Sequence, residues 1–219
     1  MRLVIISDTH GKTYGSFGKY EIPDGDVLIH CGDACIKGTE KELVSFRKWF
    51  NSFPHKNKIF CAGNHDFICQ DRPKDIIKDI MEPSIYLQDE EIIIDGIKFY
   101  GSPWQPEFFN WAFNMPRDEL HSIWELIPDD VNVLITHGPP KGIADETRDM
   151  IDPTKFVHVG CSALMKEIFS GRLNSLKVHC FGHIHSGYGT YVNNGIKFVN
   201  AASCNEKYLP KNSPIIVDI

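Results

Sequence analysis

The 219-residue sequence has no apolar run of about 18 residues, the length at which a helix can cross a bilayer. A membrane span is excluded, and no membrane partner is expected. A cleavable leader is not expected either. Arg2-Leu3-Val4-Ile5-Ile6 reads as a buried strand that runs straight into Asp8 and His10, so removing it would remove them too, and a cytoplasmic location is the expectation. Cysteine occurs seven times but never as Cys-x-x-Cys, the nearest pair being Cys31 and Cys35. An odd count, with Cys61 and Cys180 inside apolar runs, fits free buried thiols in a reducing compartment, not a disulfide framework. Acidic residues outnumber basic ones 29 to 23, and a net charge of -6 leaves no basic face of the kind non-specific nucleic-acid binding needs. Low-complexity tracts are absent, as is any repeat of roughly 20 to 50 residues. With 42% hydrophobic residues, the chain can bury a full core, and one domain over residues 1–219 is expected.

What is there alternates strand and helix signals. Asp26 to His30 reads as a second strand, after a Gly- and Tyr-rich loop. Thr39-Glu40-Lys41-Glu42 is a capping box, followed by Leu43, Phe46, Trp49 and Phe50 at helical spacing. Ile59 to Ala62 is a third buried strand, and a short helical segment follows Pro73. Glu91 to Ile94 and Ile97 to Tyr100, joined by Asp95-Gly96, form a hairpin. Arg117 to Ile127 and Ser162 to Phe169 read as helices, Val131 to Thr136 and Ser175 to Phe181 as strands. The last third reads as strand: Gly189 to Val192, Ile196 to Asn200 and Pro214 to Ile219. The fold class is α/β with antiparallel strands mixed in.

Five of these elements break into polar residues at their carboxyl ends, where open α/β sheets build their sites. The breaks are Asp8-Thr9-His10, Gly32-Asp33, Gly63-Asn64-His65-Asp66, His137-Gly138 and Gly182-His183-Ile184-His185. One such break alone reads equally well as a turn with a solvated side chain. Five together, holding five of the ten histidines, point to a metal centre. His30 and His179 read as core residues, and His55 and His121 as exposed. Extended backbone running off a strand would turn residues i and i+2 the same way, so Asp8 with His10, and His183 with His185, could each face one site. The nitrogen and oxygen ligand set suits manganese, iron or zinc. Asp8, His10, Asp33, Asn64, His137, His183 and His185 are too many ligands for one ion and suit two that share Asp33. Two divalent ions outweigh two carboxylates and a bridging hydroxide, so the centre stays positive and suits a phosphate ester. In-line attack of that hydroxide on phosphorus is the expected reaction.

Taken in order, these motifs resemble the signature of the calcineurin-like metallophosphoesterases. Tyr100-Gly-Ser-Pro-Trp-Gln-Pro-Glu107, His137-Gly-Pro-Pro140, the stretch Gly182 to Gly189 and Asn200-Ala-Ala-Ser203 further resemble the metallophosphoesterase-domain (MPPED-type) branch. The resemblance implies a four-layer α-β-β-α sandwich of two mixed β-sheets around two metal ions. It places Asp8, His10 and His185 on one ion and Asn64, His137 and His183 on the other, with Asp33 bridging. His65 would stand beside the substrate as leaving-group acid or charge stabiliser. One motif departs from the protein Ser/Thr phosphatases, which continue Gly-Asp-x-x-Asp-Arg-Gly: here Ile36 and Lys37 replace the Asp and Arg. Small phosphodiesters or phosphomonoesters, cyclic nucleotides among them, are therefore expected as substrates rather than phosphoproteins. A non-catalytic scaffold of the same fold and a nuclease are the competing readings. Five aromatics in Trp104 to Phe113 suit a stacked base or a core cap, and four acids with one base in Ala144 to Asp152 suit a solvated loop or a pocket rim that turns polyanions away.

Overall fold

The computed structural model describes residues 1–12 and 22–219. The Gly- and Tyr-rich loop before the second strand lies mainly outside the described residues. Two sheets form the centre. The first orders its strands Ile215–Asp218, Arg2–Ile6, Val27–His30, Asn57–Phe60 and Ile85–Tyr86, the last four running parallel. The second runs Gly189–Asn193, Ile196–Asn200, Val178–Phe181, Val133–Thr136, Ile97–Ser102 and Glu90–Ile94, parallel in its middle and antiparallel at both edges.

Side-chain alternation along each strand sorts residues into layers. Leu3 and Ile5 face Val133, Ile135, Val178 and Val199 across the gap between the sheets, in one buried cluster. Their neighbours Val4 and Ile6 turn the other way onto Leu43, Phe46 and Phe50 of the helix Glu40–Phe50 and Ile77 and Met81 of the helix Lys74–Met81. On the far side Leu134 and Phe198 pack against Trp124, Leu164 and Ile168. The result is the four-layer α-β-β-α sandwich, its central strands buried on both faces as near-continuous apolar runs must be. The capping box forms as read: Thr39 Oγ1 accepts from Glu42 N, and Glu42 Oε2 accepts from Thr39 N at 3.0 Å.

Three readings need correction. The segment Arg117–Ile127 holds only the four-residue helix His121–Trp124. Its neighbouring amides bond mostly three residues back, Ser122 to Glu119, Leu126 to Ile123 and Ile127 to Trp124, which makes tight turns rather than a continuous α-helix. Helical spacing cannot distinguish the two over so short a run. His55 is buried, not exposed, with Nε2 2.9 Å from the carbonyl oxygen of Pro23. The third concerns backbone geometry at the site.

Parallel pairing brings the ends of the Arg2–Ile6, Val27–His30 and Asn57–Phe60 strands to one edge, locked by Asp8 N to Gly32 O and His10 N to Asp33 O, both 2.9 Å. In the second sheet Gly182 N donates to His137 O at 2.9 Å. Ser203 N donates to Ser7 O at 2.8 Å and joins the two edges. All seven cysteines are buried and free.

Candidate metal centre

The chain leaves its strands by sharp turns at the site, not by extension. Asp8 (φ 53°), His10 (φ 44°), Asp33 (φ 57°) and His183 (φ 66°) all take left-handed backbone, which costs a side-chain-bearing residue energy and persists only where the surroundings enforce it. The extended i, i+2 argument therefore fails in its mechanism. Asp8 and His10 do share one trio, with His185, whereas His183 joins Asp33 and His137; a third trio holds His10, Asp33 and His65. Within each trio the candidate ligand atoms lie within 4.8 Å of one another. Asn64 enters through Oδ1, 2.9 Å from His137 Nε2.

The atoms that meet are acceptors. His137 Nδ1 donates to Cys31 O, His185 Nδ1 to Asn205 O and His65 Nδ1 to Ile36 O, at 2.9, 2.9 and 2.8 Å. A neutral imidazole that spends its proton on Nδ1 presents a lone pair at Nε2, the arrangement that backbone carbonyls give metal-binding histidines. His185 Nε2 lies 3.3 Å from both His10 Nε2 and Asp8 Oδ1, and His137 Nε2 3.3 Å from Asp33 Oδ2. Lone pairs and carboxylate oxygens packed this closely repel unless cations lie between them, so the donor set fits divalent metal ions.

Charge follows the same geometry. Burial pushes the Asp8 carboxyl up, but the bonded His185 outweighs it and holds Asp8 well below the usual carboxylate range. Burial likewise opposes ionisation of Asp33, and His137 overcomes it. For His137 burial favours the neutral ring, yet the adjacent Asp33 raises its pKa to about 9, so without a metal a proton at Nε2 joins the two, and a divalent ion bound there would take that proton's place. Burial dominates at His10 and His183, lowered to about 4 and about 3, so both rings are neutral.

The sequence profile of the calcineurin-like phosphoesterases matches residues 1–187. The chain belongs to this family. The family is metal-dependent, as the donor set independently indicates. Metallophosphoesterase domain-containing protein 1 from Homo sapiens is 39% identical over 241 residues, covering 100% of this chain and 71% of that protein; the Mus musculus protein matches to the same extent. A solved archaeal phosphodiesterase superposes on this calcineurin-like chain with a TM-score of 0.54 at 21% identity, covering 100% of the one and 93% of the other, which is a likeness of fold.

The trios open into a cavity of about 440 Å³ whose floor includes His10, Asp33, Asn64 and His65. The aromatic stretch divides: Trp104 and Phe113 pack into the core, and Phe108 and Trp111 line the cavity. Trp111 lies against His65, ring centres 4.2 Å apart. The acidic stretch borders the cavity through Thr147, Arg148 and Met150. Sequence reading missed Tyr208, whose ring sits 4.8 Å from that of His10 and 5.2 Å from that of His185; no motif surrounds it. It also missed the carbonyl of Ile36, which holds His65 where the protein phosphatases use an acid. Asp66 turns away from the cavity and accepts from Gly63 N and Cys35 N, both 2.8 Å. Burial, with Asp33 nearby, raises its pKa to about 6.

Gly182 is glycine because a Cβ there would collide with the Asp8 carboxylate and Ser7 Oγ. Gly182→Ala should push Asp8 out of its trio and weaken metal binding roughly 10- to 100-fold, the usual cost of disturbing a ligand's support. Titrating manganese into wild type and variant measures it; equal affinities would mean that Asp8 is not a ligand.

Proposed function

We propose that the chain is a single-domain, two-metal phosphoesterase of the cytoplasm that hydrolyses small phosphodiesters or phosphomonoesters, cyclic nucleotides among the candidates. The observation that carries this reading is the convergence of buried lone pairs and carboxylates at the floor of an open cavity. Asp8, His10 and His185 would hold one ion and Asn64, His137 and His183 the other, with Asp33 between them. Bound there, two such ions supply positive charge to the phosphate oxygens and acidity to water for in-line displacement.

The chain's own groups do the rest. Asp33 Oδ1 accepts from the backbone N–H of His65 at 2.7 Å, which ties the turn that carries His65 to the shared carboxylate. Ile36 O fixes the His65 tautomer and Trp111 flanks its ring, so Nε2 is the ring atom left for the substrate's leaving oxygen. A scaffold that kept the fold without chemistry would have no need of this constellation. Phosphoproteins are disfavoured because Ile36 and Lys37 stand where the protein phosphatases carry Asp and Arg.

Two measurements test the reading. Elemental analysis after manganese loading should give two ions per chain. Comparing kcat/KM on bis-nitrophenyl phosphate, cyclic nucleotides and a phosphopeptide should place the phosphopeptide last. A stoichiometry of one, or a phosphopeptide preference, would overturn it.

A further inference from the structure

Three loops rim the cavity, and each follows the same pattern. Phe108, Met150 and Tyr208 line the wall; their successors Phe109, Ile151 and Leu209 stand outside it, 67%, 95% and 44% exposed. An exposed apolar residue is ordinary alone, but six on three loop tips around one opening form a collar.

The tips are held in place. Asn114 Nδ2 donates to the carbonyls of Phe108 and Phe109, 3.0 and 2.9 Å away. Asp149 Oδ1 accepts from Ile151 N at 2.7 Å and Asp152 N at 2.9 Å. Asn205 Oδ1 accepts from Lys207 N and Leu209 N, both 3.0 Å. Phe109 (φ 50°) and Tyr208 (φ 54°) are in left-handed backbone, a strained state for aromatic residues that tends to mark function. The chain thus spends strain and side-chain hydrogen bonds on presenting apolar groups to solvent.

What covers them follows from where they are. A folded partner or second copy pressed on the collar would seal the opening to the cavity. A substrate small enough to sit inside would leave Phe109, Ile151 and Leu209 bare. A lipid surface covers the outward tips while delivering a phosphate to the opening. The collar's charged groups are mixed: Arg148, stacked over Phe156 at 5.1 Å, Lys155 and Lys207 stand with Glu107, Asp149, Asp152 and Glu206, slightly acidic on balance. This balance and the net charge of -6 suit a zwitterionic surface, not an anionic one.

We propose that the collar seats the cavity on a zwitterionic lipid surface, and that the ester turned over there is a phosphate-ester lipid presented by that surface. The proposal deepens and rests on the phosphoesterase reading for its chemistry, but not for the docking. No helix among the described residues is long and apolar enough to cross a membrane, and surface seating needs none.

Flotation with phosphatidylcholine vesicles tests the docking without reference to turnover. Wild type should float with the vesicles. A triple variant, Phe109→Ser, Ile151→Ser and Leu209→Ser, should lose about tenfold or more in partition coefficient, given the apolar area removed. Its melting temperature checks that the fold is intact. The chemistry is read as the rate on hexadecyl 4-nitrophenyl phosphate dispersed at low mole fraction in phosphatidylcholine vesicles, relative to the methyl ester in solution. That ratio should exceed one for wild type and fall toward one in the variant. If wild type stays off the vesicles, or if sedimentation shows a dimer that the triple variant abolishes, the docking proposal is overturned whatever the turnover. Vesicle binding with no hydrolysis of either ester overturns the phosphoesterase reading and the lipid-substrate claim, and leaves the docking standing. Single variants of the three positions, each floated alone, keep the test valid if the triple variant misfolds.

Discussion

Asp33→Asn should lose both metal ions and roughly 10³-fold or more in kcat/KM, because several kcal/mol of transition-state charge stabilisation goes with the metals at about 1.4 kcal/mol per decade of rate. Asp33, like His10, belongs to two of the three trios, and of the two it alone carries a carboxylate, whose Oδ2 lies 3.3 Å from His137 Nε2 and 3.8 Å from His10 Nε2. Asparagine keeps the shape and, through Oδ1, the acceptor for His65 N, so the backbone of the turn that carries His65 stays where it is. What changes is charge: one carboxylate that could serve two cations becomes a neutral amide. Metal content, kcat/KM on bis-nitrophenyl phosphate and the melting temperature of the metal-free protein are the three measurements. Two ions retained with near-normal turnover would show that Asp33 does not bridge.

His65→Ala should behave differently, retaining its metals and losing roughly 10² to 10⁴ in kcat, the usual worth of one positioned acid or charge-stabilising group. Its ring is anchored at Nδ1 by Ile36 O and flanked by Trp111, and His10 meets it edge-on at 4.7 Å. Asn64 is the contrast. Its Oδ1 points to His137, so Asn64→Ala should lower metal content and rate together. The leaving group discriminates further. Nitrophenolate departs without a proton, so His65→Ala should cost little there, and an alkyl ester should show the full loss. Metal loss in His65→Ala, or equal slowing of both esters, would make His65 a ligand or a positioning group.

These residues also show what a sequence can and cannot disclose. The buried strands were legible because both faces of each are apolar, as Leu3 to Ile6 and Val133 to Ile135 show, and the five polar breaks were legible because they interrupt those runs. The partition of His183 and His185 between different trios came only through the family resemblance, since it depends on left-handed turns that motif spacing does not encode. The orienting group for His65 is a backbone carbonyl, which every residue carries and no motif marks. The strands Glu146–Arg148 and Phe156–His158 are three residues each with mostly exposed side chains, too short and too polar for alternation to show. They are pinned instead by buried Asp145, which accepts from Gly160 N at 3.0 Å and His158 Nδ1 at 2.7 Å.

The distance in sequence between the groups that meet at the floor of the cavity has a consequence for the nascent chain. His10 and His185, whose Nε2 atoms lie 3.3 Å apart, are separated by 175 positions, and Asp33 and His137 come from different sheets. Contacts this remote form late, because the entropy of closing so long a loop is lost before the contact returns anything. A ribosome-bound chain that ends before His137 therefore holds neither trio that needs the second sheet, only the first sheet's own Asp8, His10, Asp33 and His65. Completing those two trios is a late event that follows docking of the sheets.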